Sequence, residues 1–122
     1  MKITGLEDND LVIYQGGTLD RRYIVYDDET GALADLTGYT GECTVSTAAH
    51  DDAGTVLLTP TVVVDTVNSV VQVYEDTTAN TRAVPRPASG YHRHATYITG
   101  ASGDRWCVAF GVAAVVLEPT HA

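Results

Sequence analysis

Between positions 11 and 117 the chain is a series of short segments in which apolar and polar side chains alternate, each closed by Gly, Pro, Asp or Asn. A period of two is the signature of strands that turn one face to a core, and no window sustains the i, i+3, i+4, i+7 rhythm of an amphipathic helix. Leu11 to Tyr14 is the first segment, closed by Gln15-Gly16-Gly17. Thr18 to Tyr26 is the second, with Leu19, Arg21, Tyr23 and Val25 on one side, and Asp27-Asp28-Glu29-Thr30-Gly31 supplies its turn. In Thr40 to Thr47, Cys43 and Val45 alternate with Glu42, Thr44 and Ser46. Val56 to Leu58 and Val62 to Val64 flank Thr59-Pro60-Thr61, an edge or bend because Pro cannot donate to a ladder. Ser69 to Tyr74 follows, and then Glu75 to Ala88 breaks the pattern. There Thr77 or Thr78 can cap about one helical turn, which Pro85 and Pro87 would end.

The last two segments, Tyr91 to Thr99 and Arg105 to Leu117, form a hairpin on which the rest is expected to pack. In the first arm Tyr91, Arg93, Ala95 and Tyr97 share the face expected in the core, and His92, His94, Thr96 and Ile98 share the other. In the second arm Trp106, Val108, Phe110, Val112 and Ala114 share a face that carries the only Trp and the only Phe, and this face is expected to centre the core. Gly111 to Leu117 is apolar on both faces. The side bearing Ala113, Val115 and Leu117 therefore needs cover, either from the chain's own N-terminal arm or from another subunit, and these three residues are the expected assembly interface.

Seven or eight strands with evenly spaced turns predict an all-β, immunoglobulin-like two-sheet β-sandwich. Positions 1–10 read as an N-terminal arm of the kind that orders on a neighbour, 11–117 as the sandwich and 118–122 as a short C-terminal tail.

Charge narrows the partners. Sixteen acidic against 7 basic residues give a net charge of -9, which opposes a sequence-independent grip on phosphate backbones, so no nucleic-acid partner is expected. No apolar run approaches the ~20 residues of a membrane span, and Met1-Lys2-Ile3-Thr4-Gly5 lacks the apolar middle of a signal peptide. A cytosolic, non-membrane chain is expected, with Cys43 and Cys107 reduced.

Candidate chemistry is sparse. His92 and His94, two apart on one strand face, could chelate a metal with a third ligand from His50, Asp51 or Asp52, but two exposed histidines on a solvent or subunit face are the expected arrangement. The acidic turn at Asp27 lacks the length and terminal Glu of a calcium loop. Cys107, between Trp106 and Val108, reads as buried in an apolar wall and not as a nucleophile. Arg21, Arg22, Arg82, Arg86, Arg93 and Arg105 serve either local ion pairs or an acidic neighbour. With no phosphate loop, serine elbow or His-Glu-x-x-His, neither catalytic residues nor a cofactor are expected.

The order Gln15-Gly16-Gly17-Thr18-Leu19, an aliphatic and aromatic strand, an Asp-Asp-Glu-Thr-Gly hairpin, then Asp35-Leu36-Thr37-Gly38-Tyr39 and a strand, resembles the N-terminal β-sandwich module of tailed-bacteriophage structural proteins that include upper baseplate proteins. Val70 to Tyr74, Gly90-Tyr91, Ser102-Gly103-Asp104 and Trp106 to Leu117 extend the resemblance to nearly the whole chain, with Gly17 standing where Asp is more usual. It implies a non-enzymatic virion component of tail, baseplate, neck or capsid decoration, made in the host cytoplasm and partnered by copies of itself or by other virion proteins. A small binding module for a sugar or metal ion is the alternative.

Overall fold

The computed structural model describes residues 1–6, 9–47, 55–87 and 91–119. Its elements run β1 (Leu11–Tyr14), β2 (Leu19–Ile24), β3 (Thr40–Thr47), β4 (Val56–Leu58), β5 (Thr61–Asp65), β6 (Val70–Glu75), α1 (Thr78–Arg82), β7 (His92–Thr99) and β8 (Arg105–Val116). One sheet has five strands in the order β1-β8-β7-β3-β4, and the other has three, β2-β6-β5. All pairings are antiparallel except that of β1, which lies parallel to β8. The last strand, its hairpin partner and β3 with β4 sit in one layer while β2, β6 and β5 sit in the other, which is the immunoglobulin arrangement. The fold is an immunoglobulin-like β-sandwich.

Between the sheets lie Leu11 and Ile13 of β1, Val45 of β3, Val71 and Val73 of β6 and Ile98 of β7, all essentially inaccessible, with Leu36 and Val84 supplied by the connections. The helical turn begins after Thr77 and stops before Pro85, as the sequence predicts, although the Thr77 side chain makes no capping bond.

Two turn motifs meet. The Asp35 carboxylate accepts the Thr37 N–H at 3.1 Å, Gly38 takes a positive φ of 82° that a Cβ would resist, and the Tyr39 N–H donates to the Leu36 carbonyl at 3.0 Å. This turn drives Leu36 into the core and aims the Tyr39 hydroxyl at the Asp104 carboxylate, to which it donates. Asp104 also accepts from the Ser102 hydroxyl at 2.8 Å and from the Trp106 indole at 3.2 Å, which closes the β7–β8 turn.

The N-terminal arm docks on its own chain. Lys2 N–H donates to the Asp27 carboxylate at 3.2 Å, the Thr4 hydroxyl meets the Asp28 carboxylate, and Ile3 is buried. Farther on, Leu6 and Asn9 donate to the Val108 and Phe110 carbonyls at 2.9 and 3.0 Å, and Phe110 N–H returns a bond to Leu6 at 3.1 Å. The acidic turn thus serves as an anchor for the arm, and the expected dependence on a neighbour is corrected.

Two face assignments are also corrected. In β7 it is His92, His94, Thr96 and Ile98 that face inward, while Tyr91 and Arg93 are exposed and Ala95 and Tyr97 half-buried. In β8 the expected face is right only as far as Val108. Thr96 pairs with Ala109 and Tyr97 with Cys107, so Val108 is an extra residue in a β-bulge and both Val108 and Ala109 are buried. Past a bulge the alternation shifts by one. Phe110, Val112 and Ala114 therefore turn outward and Ala113 and Val115 turn inward. Trp106 is half-buried against the rim of the core and does not centre it.

Candidate functional site

The bulge decides which side chains reach the outer face of the five-stranded sheet. Val12 lies beside Ala114 and Tyr14 beside Val116 across the β1–β8 pair, and Phe110 lies beside Ala95 and Val112 beside Arg93 across the β8–β7 pair. Tyr14 is 55% exposed, Val116 44% and Phe110 40%. Val56 lies on the same face at the far edge, separated from Val112 by Ser46 and Arg93. Within this expanse Arg93 is the one charge, and it has no ion-pair partner among the described residues. Only at the lower end does a charged pair appear, where Arg105 lies 3.7 Å from the Tyr97 ring centroid and bonds Glu42 at 2.6 Å.

The outer face of the three-stranded sheet is different. Asp20, Arg22 and Gln72 form a polar row there, with Gln72 donating to Asp20 at 3.1 Å and Arg22 pairing with it at 3.4 Å. The same face also carries Ile24, 57% exposed, and Val63, 42% exposed, with Val70 and Tyr74 half-buried, so it is mixed in character.

Of the three residues expected at an interface, Ala113 is fully buried and Val115 packs against the core, so neither presents a side chain to a partner; Leu117, past the end of β8, is 47% exposed. The outward residues of the same run are Val112, Ala114 and Val116. Sequence reasoning recognised the run but inverted it, and it missed Val12, Tyr14 and Phe110. None of the residues at the bulge, Cys107, Val108 and Ala109, is a Gly or Pro that could have signalled irregular pairing.

His92 and His94 are buried, each 3% exposed, which corrects the expectation of exposed rings. His92 Nε2 lies 2.7 Å from the Pro85 carbonyl, and His94 Nε2 meets the Asn9 carbonyl, so each ring ties a connecting segment to the sheet. His50, Asp51 and Asp52 lie outside the described residues. Among the described residues no three metal-ligating side chains come together.

Both cysteines are free thiols. Cys43 faces inward on β3 and Cys107 outward on β8, with β7 between them. Strands two apart are separated by about 9.6 Å, beyond the roughly 7 Å a disulfide can span. Burial pushes both thiols up from their ordinary pKa, the opposite of what a nucleophile needs. Cys107 is only half-buried, beneath the arm at Gly5, which corrects its expected place in an apolar wall.

The arginines divide. Arg82 grips Glu118 through two bonds of 2.7 and 3.1 Å, Arg21 reaches the Asn9 side chain at 3.2 Å, and Arg22 and Arg105 pair locally. A crevice of about 280 Å³ beside β4 is lined by Val56, Leu57, Leu58, Glu75 and Asn80. Its carboxylate is engaged by the Asn80 amide at 3.0 Å and the Thr77 N–H at 3.4 Å.

No protein-family model matches this sequence, and no curated protein matches it. Among solved structures, Drosophila OTK extracellular domains 3-5 align with 94% of this chain and 35% of that chain, at 11% identity and a TM-score of 0.38. This chain spans about a third of the length of that structure.

Proposed function

We propose that this chain is a non-enzymatic structural module of a tailed-bacteriophage virion that joins copies of itself or other virion proteins through the outer face of its five-stranded sheet. The observation that supports this reading is the contiguous row of Val12, Tyr14, Phe110, Ala114 and Val116, all exposed, with half-buried Val112 among them. Large apolar patches on soluble proteins mark contact sites, because covering them releases about 25 cal/mol per Å². The virion assignment rests on the motif order alone. Its motifs are fold devices here: Asp35 to Tyr39 and Ser102 to Asp104 meet through the Tyr39–Asp104 bond.

The test is to purify particles of the phage that encodes this chain, with the parent sequence or with Val116→Asp. Val116 is outward at the edge of the patch, so the variant should fold, stay in solution and be missing from particles by mass spectrometry. Particles that never contain the parent chain would remove the virion reading, and normal incorporation of a folded Val116→Asp chain would remove the outer face as the contact.

A further inference from the structure

The crevice of about 280 Å³ beside β4 has a carboxylate at its floor. Glu75, the last residue of β6, is only 8% exposed, and the walls around it are Val56 and Leu57 on one side and Asn80 and Ala83 on the other. Among the described residues no Lys, Arg or His lines the crevice, and no ion pair reaches Glu75. The bonds that Glu75 accepts come from neutral donors, the Asn80 amide at 3.0 Å on one oxygen and the Thr77 N–H at 3.4 Å on the other. A carboxylate offers about four lone-pair sites, so about half of its capacity is unspent. Asn80 spends its Nδ2 on Glu75, and its Oδ1 meets no donor among the described residues. Acceptors therefore outnumber donors beside an aliphatic wall, and the one charge there lacks a counter-charge. Buried charges are costly until they are paired.

We propose that this crevice is a subsite for one alkylammonium group, the side chain of a lysine presented by a neighbouring protein, with its stem along Val56 and Leu57 and its ammonium on Glu75 and Asn80 Oδ1. Chemistry selects the ligand. A hard cation such as calcium takes about six to eight oxygens, which an aliphatic wall does not supply. Sites for drug-sized molecules run from about 300 to 1,000 Å³, so this crevice suits a single side chain. An ammonium has three donors and no acceptor, which complements the floor, and a lysine stem buries its methylenes on apolar surface while its head stays polar. An arginine fork needs both carboxylate oxygens, and Asn80 and Thr77 already bond one each. The net charge of -9 adds a general attraction for cations.

That a partner protein supplies the lysine rests on the proposed contact face. Val56 lines the crevice and also lies on the outer face of the five-stranded sheet, so a partner that covers this face as far as its β4 edge reaches the crevice mouth. The preference for an ammonium rests on the crevice alone.

The experiment is an NMR titration of the intact chain with three capped amino acids: Nα-acetyl-lysine methylamide, its norleucine counterpart, which keeps the stem without the charge, and its arginine counterpart. Expected are saturable shifts at the Asn80 side-chain amide and the Ala83 N–H with the lysine compound, and binding weaker by about tenfold or more with norleucine, the ratio that a hydrogen bond to a charged group carries. Glu75→Gln, which keeps an acceptor but no charge, should bring the lysine compound to the norleucine level while the Val73 resonances stay in place. Val116→Asp, on the far side of the sheet, should bind the lysine compound as the parent does, so that failure of the crevice and failure of the contact face are read separately. Equal affinity for lysine and norleucine, no shift at Asn80, tighter binding of arginine, full binding by a folded Glu75→Gln chain, or loss of binding in Val116→Asp would overturn the proposal. Should Glu75→Gln not fold, the lysine-to-norleucine ratio in the parent decides the matter.

Discussion

Ala109 and Phe110 are adjacent, and the bulge assigns them opposite fates. Ala109 is wholly inaccessible whereas Phe110 is 40% exposed. Uninterrupted alternation from Trp106 would reverse this, with Phe110 in the core and Ala109 outside. Asp at position 109 would place a carboxylate between the sheets with no cation provided. Desolvation of that kind shifts a carboxyl by up to about 3–5 units. At about 1.36 kcal/mol per unit, this amounts to about 4–7 kcal/mol at neutral pH. Typical domains have only about 5–15 kcal/mol in total, so Ala109→Asp should leave little or no folded protein. Phe110→Asp gives up roughly three-fifths of the burial of a Phe, worth about 1.5–3 kcal/mol in full, so its cost is about 1–2 kcal/mol. Urea unfolding at pH 7.5, followed by circular dichroism and Trp106 emission, separates the two. A folded Ala109→Asp chain together with an unfolded Phe110→Asp chain would falsify the bulge and every outward assignment that depends on it.

Other expectations follow from the same geometry. Hydrogen bonds from Tyr39 and Ser102 hold the Asp104 carboxyl below its usual range, and the same Tyr39 bond raises the phenol. The Asp104 contribution is therefore complete above the unfolded carboxyl value of about 3.9 and lost as pH falls through the lower folded value, while that of Tyr39 is complete below about 10 and lost as pH rises through the higher folded value. Trp106 emission, reporting through its indole bond to Asp104, should stay flat between those limits and change in acid; a transition near pH 6 would contradict this. In the native protein Cys107 should alkylate before Cys43, with two labelled thiols after unfolding without reductant, and a mass two hydrogens short with no label would refute the separation by β7. Gly111→Ala should displace the arm at Asn9 and raise the protease sensitivity of residues 1–10 without lowering the protection of Val73, whereas an unchanged arm would mean that the close approach is absent.

Turns and strand positions were legible because Gly, Pro and Asp act locally: Asp35 to Tyr39, Thr77 to Pro85 and Gly100 to Asp104 behave in the fold as their residue types require. Inward and outward faces were less so, for two reasons. A bulge at Val108, set in the pairing of β8 with the distant segment β7, moves every later side chain of β8 to the opposite face, and the local apolar pattern carries no mark of it. In β7 both faces carry amphipathic side chains. Tyr91 and Tyr97 outrank His92 and His94 in hydrophobicity, yet the histidines are inside because the Pro85 and Asn9 carbonyls meet their ring nitrogens there. The candidate face was therefore visible as an apolar run and invisible as a surface until the register was known.

Electron cryo-microscopy of the purified particle, at a resolution that places side chains, tests the central claim most directly. Expected is density for this chain with Val12, Tyr14, Phe110, Ala114 and Val116 covered by a neighbouring subunit and the Asp20, Arg22 and Gln72 face turned to solvent. A particle in which this chain is present with that apolar row open to solvent, or in which it is not present at all, would contradict it.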